Sequence, residues 1–276
     1  MAPSYRDVKA SGIRLRVTDV GQGPTLLLLH TALLDRTAWH GMLDALTKHF
    51  RVIAPDLPGF GESEKPTVSR FAYDVAAFTH VVIDLFAALG LGQAHLAGHG
   101  LGGAVALSLA NSSPELVSQL ILVDSMCYQT RPDLLRRVAE LPFVGGFTVK
   151  QLWGKALFRS YCREVLTDPK RPMALPRVDH YYEQFNTPSA RNSALATLRA
   201  TADTRPVVAN TARVSARSLV VWGRHDAMYP AALGQRLARE IRGAGFQLLD
   251  SGHTPSEEQP EALAEVFRKF CSFERA

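Results

Sequence analysis

The chain has 276 residues, 46% of them hydrophobic and 21% charged, which is enough apolar material for a large buried core. Its formal net charge of +5 comes from scattered Lys and Arg with no basic run or aromatic-basic alternation, so no nucleic-acid partner is expected. Cys127, Cys162 and Cys271 follow neither C-x-x-C nor Cys/His metal spacing, and no apolar run is long enough to span a bilayer; the expectation is a cytoplasmic protein with no membrane contact, no disulfide framework and no zinc site.

In chain order, residues 13–18 alternate apolar and polar side chains like a half-buried strand, and Gly21 to Pro24 force a turn. Residues 25–29 read as a strand covered on both faces, ending at His30. Residues 39–48 have helical spacing, residues 50–54 return as a strand, and the loop 55–63 is broken by prolines and glycines. A helix is predicted over 73–89, closed by Gly90, and then a strand over 94–97. That strand runs into Gly98-His99-Gly100-Leu101-Gly102 and restarts as a helix to about residue 111, followed by a strand over 119–124.

From 125 to about 213 strand-like runs disappear, and apolar residues including Leu134, Leu135, Val138, Leu141, Phe147, Leu152, Trp153, Phe158 and Tyr161 predict an all-helical insertion. Most of its aromatics are expected to pack the insertion together, while Arg136, Arg159 and Arg163 read as solvated. A strand over 218–222, a loop with His225 and Asp226, a helix over 231–242, a strand over 246–249, the loop around His253 and a helix over 260–271 complete the chain. This alternation predicts an α/β, mostly parallel, doubly wound sheet, with ligands beyond the carboxyl ends of its strands. The expected division is a core of residues 1–125 and 214–276 interrupted by a helical cap over 126–213.

Gly100, Asp226 and His253 follow strands in the chain order nucleophile, acid, histidine. Around them, Leu29-His30, the loop Pro55-Asp56-Leu-Pro-Gly59-Phe-Gly61-Glu-Ser63, Val221-Trp222-Gly223-Arg-His225-Asp226 and Gly252-His253-Thr-Pro complete a pattern that resembles the α/β-hydrolase superfamily over essentially the whole chain. The resemblance implies the α/β-hydrolase fold with a cap after the sixth strand, as in small esterases and C-C bond hydrolases. It makes His253 the general base and acid, Asp226 its orienting partner, and the backbone N–H groups of Ala32 and Leu101 an oxyanion hole. It also places His30, Thr31, His99, Trp153 and Tyr181 around a substrate pocket. No motif calls for a cofactor or metal; the implied partner is a small, largely apolar ester, lactone or carbonyl compound, and a homodimer is left open.

The departure lies at the turn itself. The family's G-H-S-L-G-G reads G-H-G-L-G-G, so residue 100 has no side chain with which to form a covalent intermediate, and Thr31 stands where many members have glycine. Three readings follow: His253 acts directly as a base, the glycine replaces an ordinary serine by engineering, or the protein binds a ligand without catalysis. In each, His253 and Asp226 are expected to face an empty space above Gly100.

Overall fold

The computed structural model describes residues 5–130, 137, 141, 147 and 153–272. Its frame is an eight-stranded sheet in the order β1-β2-β4-β3-β5-β6-β7-β8. The strands are β1 (Tyr5–Ala10), β2 (Ile13–Val20), β3 (Thr25–Leu29), β4 (Arg51–Pro55), β5 (Ala94–His99), β6 (Val117–Val123), β7 (Arg217–Gly223) and β8 (Gly245–Leu249). β1 and β2 pair antiparallel, as do β2 and β4; all other pairings are parallel. The mostly parallel sheet expected from the strand-helix alternation is therefore present, with one addition. β1 was not expected, because it is an edge strand exposed along most of its length and carries no apolar alternation to read.

The near-continuous leucines of β3 separate by parity onto the two faces. Leu26 and Leu28 pack with Trp39, Phe50 and Phe267, whereas Leu27 and Leu29 pack with Phe78, Val105 and Trp222. Each such fully buried side chain contributes roughly 1.5–3 kcal/mol, which anchors the centre of the sheet and everything hung from its ends. The helices around it include α1 (Leu43–Leu46), α2 (Val75–Ala88), α3 (Leu101–Ser112), α4 (Lys155–Tyr161), α5 (Leu175–Phe185), α6 (Pro188–Ala200), α7 (Ala231–Glu240), α8 (Pro255–Glu258) and α9 (Pro260–Ser272), with a further single turn over Arg205–Val208 before β7.

The helix expected over 39–48 is instead a tight 3-10 turn over Arg36–Met42 followed by α1. Asp35 accepts the backbone N–H of Thr37 and starts the turn early, before the apolar periodicity begins. Between β6 and β7 the described residues form helices and no strands; α4 passes into a π-helical turn over Cys162–Leu166. Trp153, Phe158, Tyr181 and Phe185 form an apolar cluster there together with Leu33, Leu34 and Ala38 from the loop after β3. Leu134, Leu135, Arg136, Val138 and Leu152 lie outside the described residues. No helix among the described residues is long and apolar enough to cross a membrane.

Candidate active site

β5 ends at His99 and the chain turns into α3 through Gly100, whose φ of 52° and ψ of −112° lie in the region glycine tolerates best. The corner is too tight for side chains on its flanks: a Cβ on Gly98 would lie 2.1 Å from the Gly102 carbonyl oxygen, and one on Gly102 would lie 2.3 Å from that of Leu29. Gly100 donates its N–H to the Val123 carbonyl at 3.0 Å and accepts from the N–H of Met126 at 3.0 Å, which ties the turn to the end of β6.

His253 follows β8 and Asp226 follows β7, and both are buried. His253 Nδ1 lies 2.9 Å from Asp226 Oδ2, while Asp226 Oδ1 accepts the N–H groups of Met228 at 2.7 Å and Tyr229 at 2.8 Å. The carboxylate is thus held by three donors, and the ring's other nitrogen, Nε2, is buried without a hydrogen-bond partner. His99 fixes the ring's backbone by donating Nε2–H to the His253 carbonyl at 2.6 Å; burial, then the neighbouring His253, keep His99 far below its ordinary pKa and neutral.

Asp124 adds a second carboxyl. It sits at the end of β6 with a φ of 40° and accepts the N–H of Gly223 at 2.7 Å. Burial, then the adjacent Asp226 charge, push its pKa well above the ordinary carboxylate range, and its Oδ2 is buried without a hydrogen-bond partner. Asp124, Asp226 and His253 hold their donor atoms within 4.8 Å of one another, the one such grouping among the described residues. His253 Nδ1 and Asp226 Oδ2 are engaged with each other at 2.9 Å, and Asp226 Oδ1 and Asp124 Oδ1 accept backbone N–H groups, so most of these donor atoms are already used within the protein.

The space above Gly100 is not empty. A Cβ built on Gly100 would lie 2.0 Å from Thr31 Oγ1 and 2.7 Å from Thr31 Cβ, with His253 Nε2 at 3.5 Å. The expectation of a vacancy is corrected: the Thr31 hydroxyl reaches across from the loop after β3 and takes the volume a side chain at residue 100 would need. The Leu101 N–H donates to Thr31 Oγ1 at 3.4 Å. His30 holds the same loop: its Nε2 accepts the Leu57 N–H at 2.8 Å, which leaves Nδ1–H to donate to the Thr31 carbonyl at 2.7 Å. Burial lowers the His30 pKa to about 4, so the neutral tautomer that these two bonds require is the stable one.

A cavity of about 150 Å³ opens beside these groups, with Thr31, Ala32, Leu101, Met126, Met228 and Tyr229 in its wall. Tyr161, one of the insertion's aromatics, also lines it, whereas His30, His99, Trp153 and Tyr181 do not. Trp153 belongs to the apolar cluster under α5, and the Tyr181 hydroxyl is bound to Arg177 and Glu257. A more open groove of about 760 Å³ lies between residues 65–73 and α6, away from His253. Ser125, after β6, has its hydroxyl against Gly103 and does not line the cavity, and burial raises the Cys127 thiol pKa above its ordinary value.

Sequence reasoning missed Glu258. Its carboxylate accepts the N–H groups of Gly252 at 2.7 Å, Thr254 at 3.0 Å and Asp168 at 2.9 Å, so it clamps the histidine loop from both sides and ties it to the helical segment. The apolar signal of α9 starts after it, and α8 is a single turn, too short to show a period.

Comparison with known proteins then decides the family. The sequence signature described as "alpha/beta hydrolase fold" matches residues 24–260. The chain belongs to the α/β-hydrolase fold family. Among relatives of this α/β-hydrolase, the pimeloyl-acyl-carrier-protein methyl ester esterase of Nitrosomonas europaea is 29% identical over 92% of this chain and 98% of its own. The 2-hydroxymuconate semialdehyde hydrolase of a Pseudomonas species is 38% identical, over 44% of this chain and 43% of its own. The structure of a thermophilic esterase from Thermogutta terrifontis superposes with a TM-score of 0.76 at 26% identity, covering 97% of this chain and 98% of that one.

Proposed function

We propose that this α/β-hydrolase is an active enzyme that cleaves a small, largely apolar ester, lactone or related carbonyl compound, with His253 as general base and acid and Asp226 as its orienting partner. The observation that carries the reading is the buried His253 Nδ1–Asp226 Oδ2 bond of 2.9 Å, which leaves Nε2 unpartnered at the strand-helix turn. A base that is oriented, dry and without another partner is suited to taking a proton from an oxygen placed above Gly100. Leu101 and Ala32, whose backbone N–H groups the family resemblance makes the oxyanion hole, both line the cavity, and its small volume suits a small acyl group. The esterases among the relatives support the substrate class.

Gly100 occupies the turn where family members carry the nucleophile, so the reaction does not pass through a covalent bond to residue 100. Thr31 favours a protein adapted to this glycine over a serine enzyme from which a hydroxymethyl group was removed, because its hydroxyl already fills the volume concerned. The acid and base, joined at 2.9 Å with the ring's Nε2 left unpartnered, favour catalysis over simple ligand binding.

The test is turnover of a panel of small p-nitrophenyl esters, aliphatic lactones and 1,5-dicarbonyl compounds by the protein and by His253→Ala. Turnover by the protein that falls at least ~10²-fold in the variant is the expected result. Turnover that survives His253→Ala, or ligand binding with no turnover of any member, would overturn the reading.

A further inference from the structure

The proposed reaction needs an oxygen near His253 Nε2, and the chain itself supplies a hydroxyl beside the same turn. Thr31 Oγ1 and His253 Nε2 lie 2.0 Å and 3.5 Å from a single point, the place a Cβ on residue 100 would occupy, so the hydroxyl and the ring face the same small volume, although the two are not hydrogen-bonded to each other in this structure. Thr31 also lines the cavity, so its hydroxyl lies between base and substrate space. Its backbone is pinned through the carbonyl by His30, and the Leu101 N–H at 3.4 Å offers positive charge to the oxygen as it loses its proton. The absent side chain at 100 and the hydroxyl at 31 are two halves of one arrangement, since a side chain at 100 would clash with this placement of Thr31.

We infer that Thr31 Oγ1 is the nucleophile of the reaction proposed above, carried on the loop after β3 instead of on the strand-helix turn. In the first step Oγ1 attacks the substrate carbonyl carbon as its proton passes to His253 Nε2, and a new C–O bond forms. The tetrahedral oxyanion collapses, the bond to the leaving alkoxide breaks, and His253 returns the proton to it, leaving an acyl ester on Thr31. A water molecule gives a proton to His253 and attacks that ester; the acid departs and Oγ1 recovers its proton. Only water is consumed, and the oxidation state of every atom is unchanged.

The inference rests on the His253–Asp226 reading, and the experiment separates the two. The full-length protein is treated with a fluorophosphonate and digested, and the labelled peptide is located by mass spectrometry; in parallel, Thr31→Val and Thr31→Ser are assayed on the best p-nitrophenyl ester alongside His253→Ala. The expected result is label on Thr31, a loss of at least ~10²-fold in kcat for Thr31→Val with KM little changed, and activity within ~10-fold for Thr31→Ser, which keeps the hydroxyl. Thr31→Val folds as an isostere whose circular dichroism should match the parent, so loss of structure is distinguishable from loss of chemistry. Label on any other residue, no label on Thr31, or Thr31→Val turning over at the parental rate would overturn the inference. If His253→Ala is inactive while Thr31→Val is fully active, the base is right and the attacking oxygen is water.

Discussion

Thr31 and Gly100, separated by most of the first half of the core, occupy one volume, and the separation of 2.0 Å between Thr31 Oγ1 and a Cβ at residue 100 makes their substitutions interdependent. Gly100→Ser alone drives its side chain into Thr31, so it should gain little serine reactivity. Gly100→Ser combined with Thr31→Gly clears the space, and fluorophosphonate labelling at residue 100 should then be at least ~10-fold faster than in Gly100→Ser alone. Equal labelling rates in the two would mean that the threonine does not obstruct the turn. The two carboxyl groups beside His253 should also separate under substitution. Asp226→Asn removes the charge that orients the ring and should lower kcat by at least ~10²-fold; Asp124→Asn keeps an oxygen to accept the Gly223 N–H and should stay within ~10-fold. Steady-state kinetics on one ester distinguishes them. Glycine spacing and the order of Gly100, Asp226 and His253 were readable in the chain, but which atom fills the space above the glycine was not. That answer depends on the placement of a side chain from a loop 69 positions away, and a local pattern carries no record of it.

At the scale of elements, the strand ends position the chemistry and short turns hold it. β5, β6 and β7 announced themselves as apolar runs because central parallel strands are buried on both faces, whereas β8 is an edge strand in which only Leu249 is buried. β1 and α8 did not, the first being an exposed edge and the second a single turn. α8 nevertheless carries Glu258, whose three accepted N–H groups fix the histidine loop and attach it to Asp168. Glu258→Ala leaves those buried donors without partners and should lower stability by roughly 1–3 kcal/mol in urea unfolding. The same variant should reduce kcat more than it raises KM, because the loop it loosens holds His253 and not the cavity wall. An unchanged unfolding midpoint would show that the loop holds itself.

Across the whole molecule, the helical segment between β6 and β7 is fastened to the core beside α5. Arg177 binds Glu257 and the Thr37 carbonyl, and His180 Nε2 lies 2.8 Å from Asp35 Oδ2. Burial acts to raise the Asp35 pKa, but the hydrogen bonds of His180 and Thr37 outweigh it and hold the group at about 2. The bond to Asp35 raises His180 above its ordinary 6.5. A histidine whose folded pKa is raised adds stability below its unfolded pKa and loses it as pH climbs through the folded one. Asp35 adds its share above 3.8 and loses it only as pH falls toward 2. The fastening is therefore strongest between 3.8 and 6.5 and weakens as pH climbs above that range. His180→Gln should flatten the fall of Tm between pH 6 and pH 9 by about 2 °C, a modest shift because His180 is partly exposed to solvent. A parallel fall in both proteins would assign the pH dependence to other groups.

The same three scales meet at one atom, the Nε2 of His253, which must carry a lone pair toward Thr31 for the proposed chemistry to run. The most direct measurement is the ¹⁵N and ¹H NMR of the His253 ring in protein labelled on histidine, at a pH where the ring is neutral. The expected spectrum has a proton on Nδ1, shifted downfield by Asp226, and an unprotonated Nε2 whose resonance changes on Thr31→Val. A proton on Nε2 and a bare Nδ1 would contradict the assignment of His253 as the base.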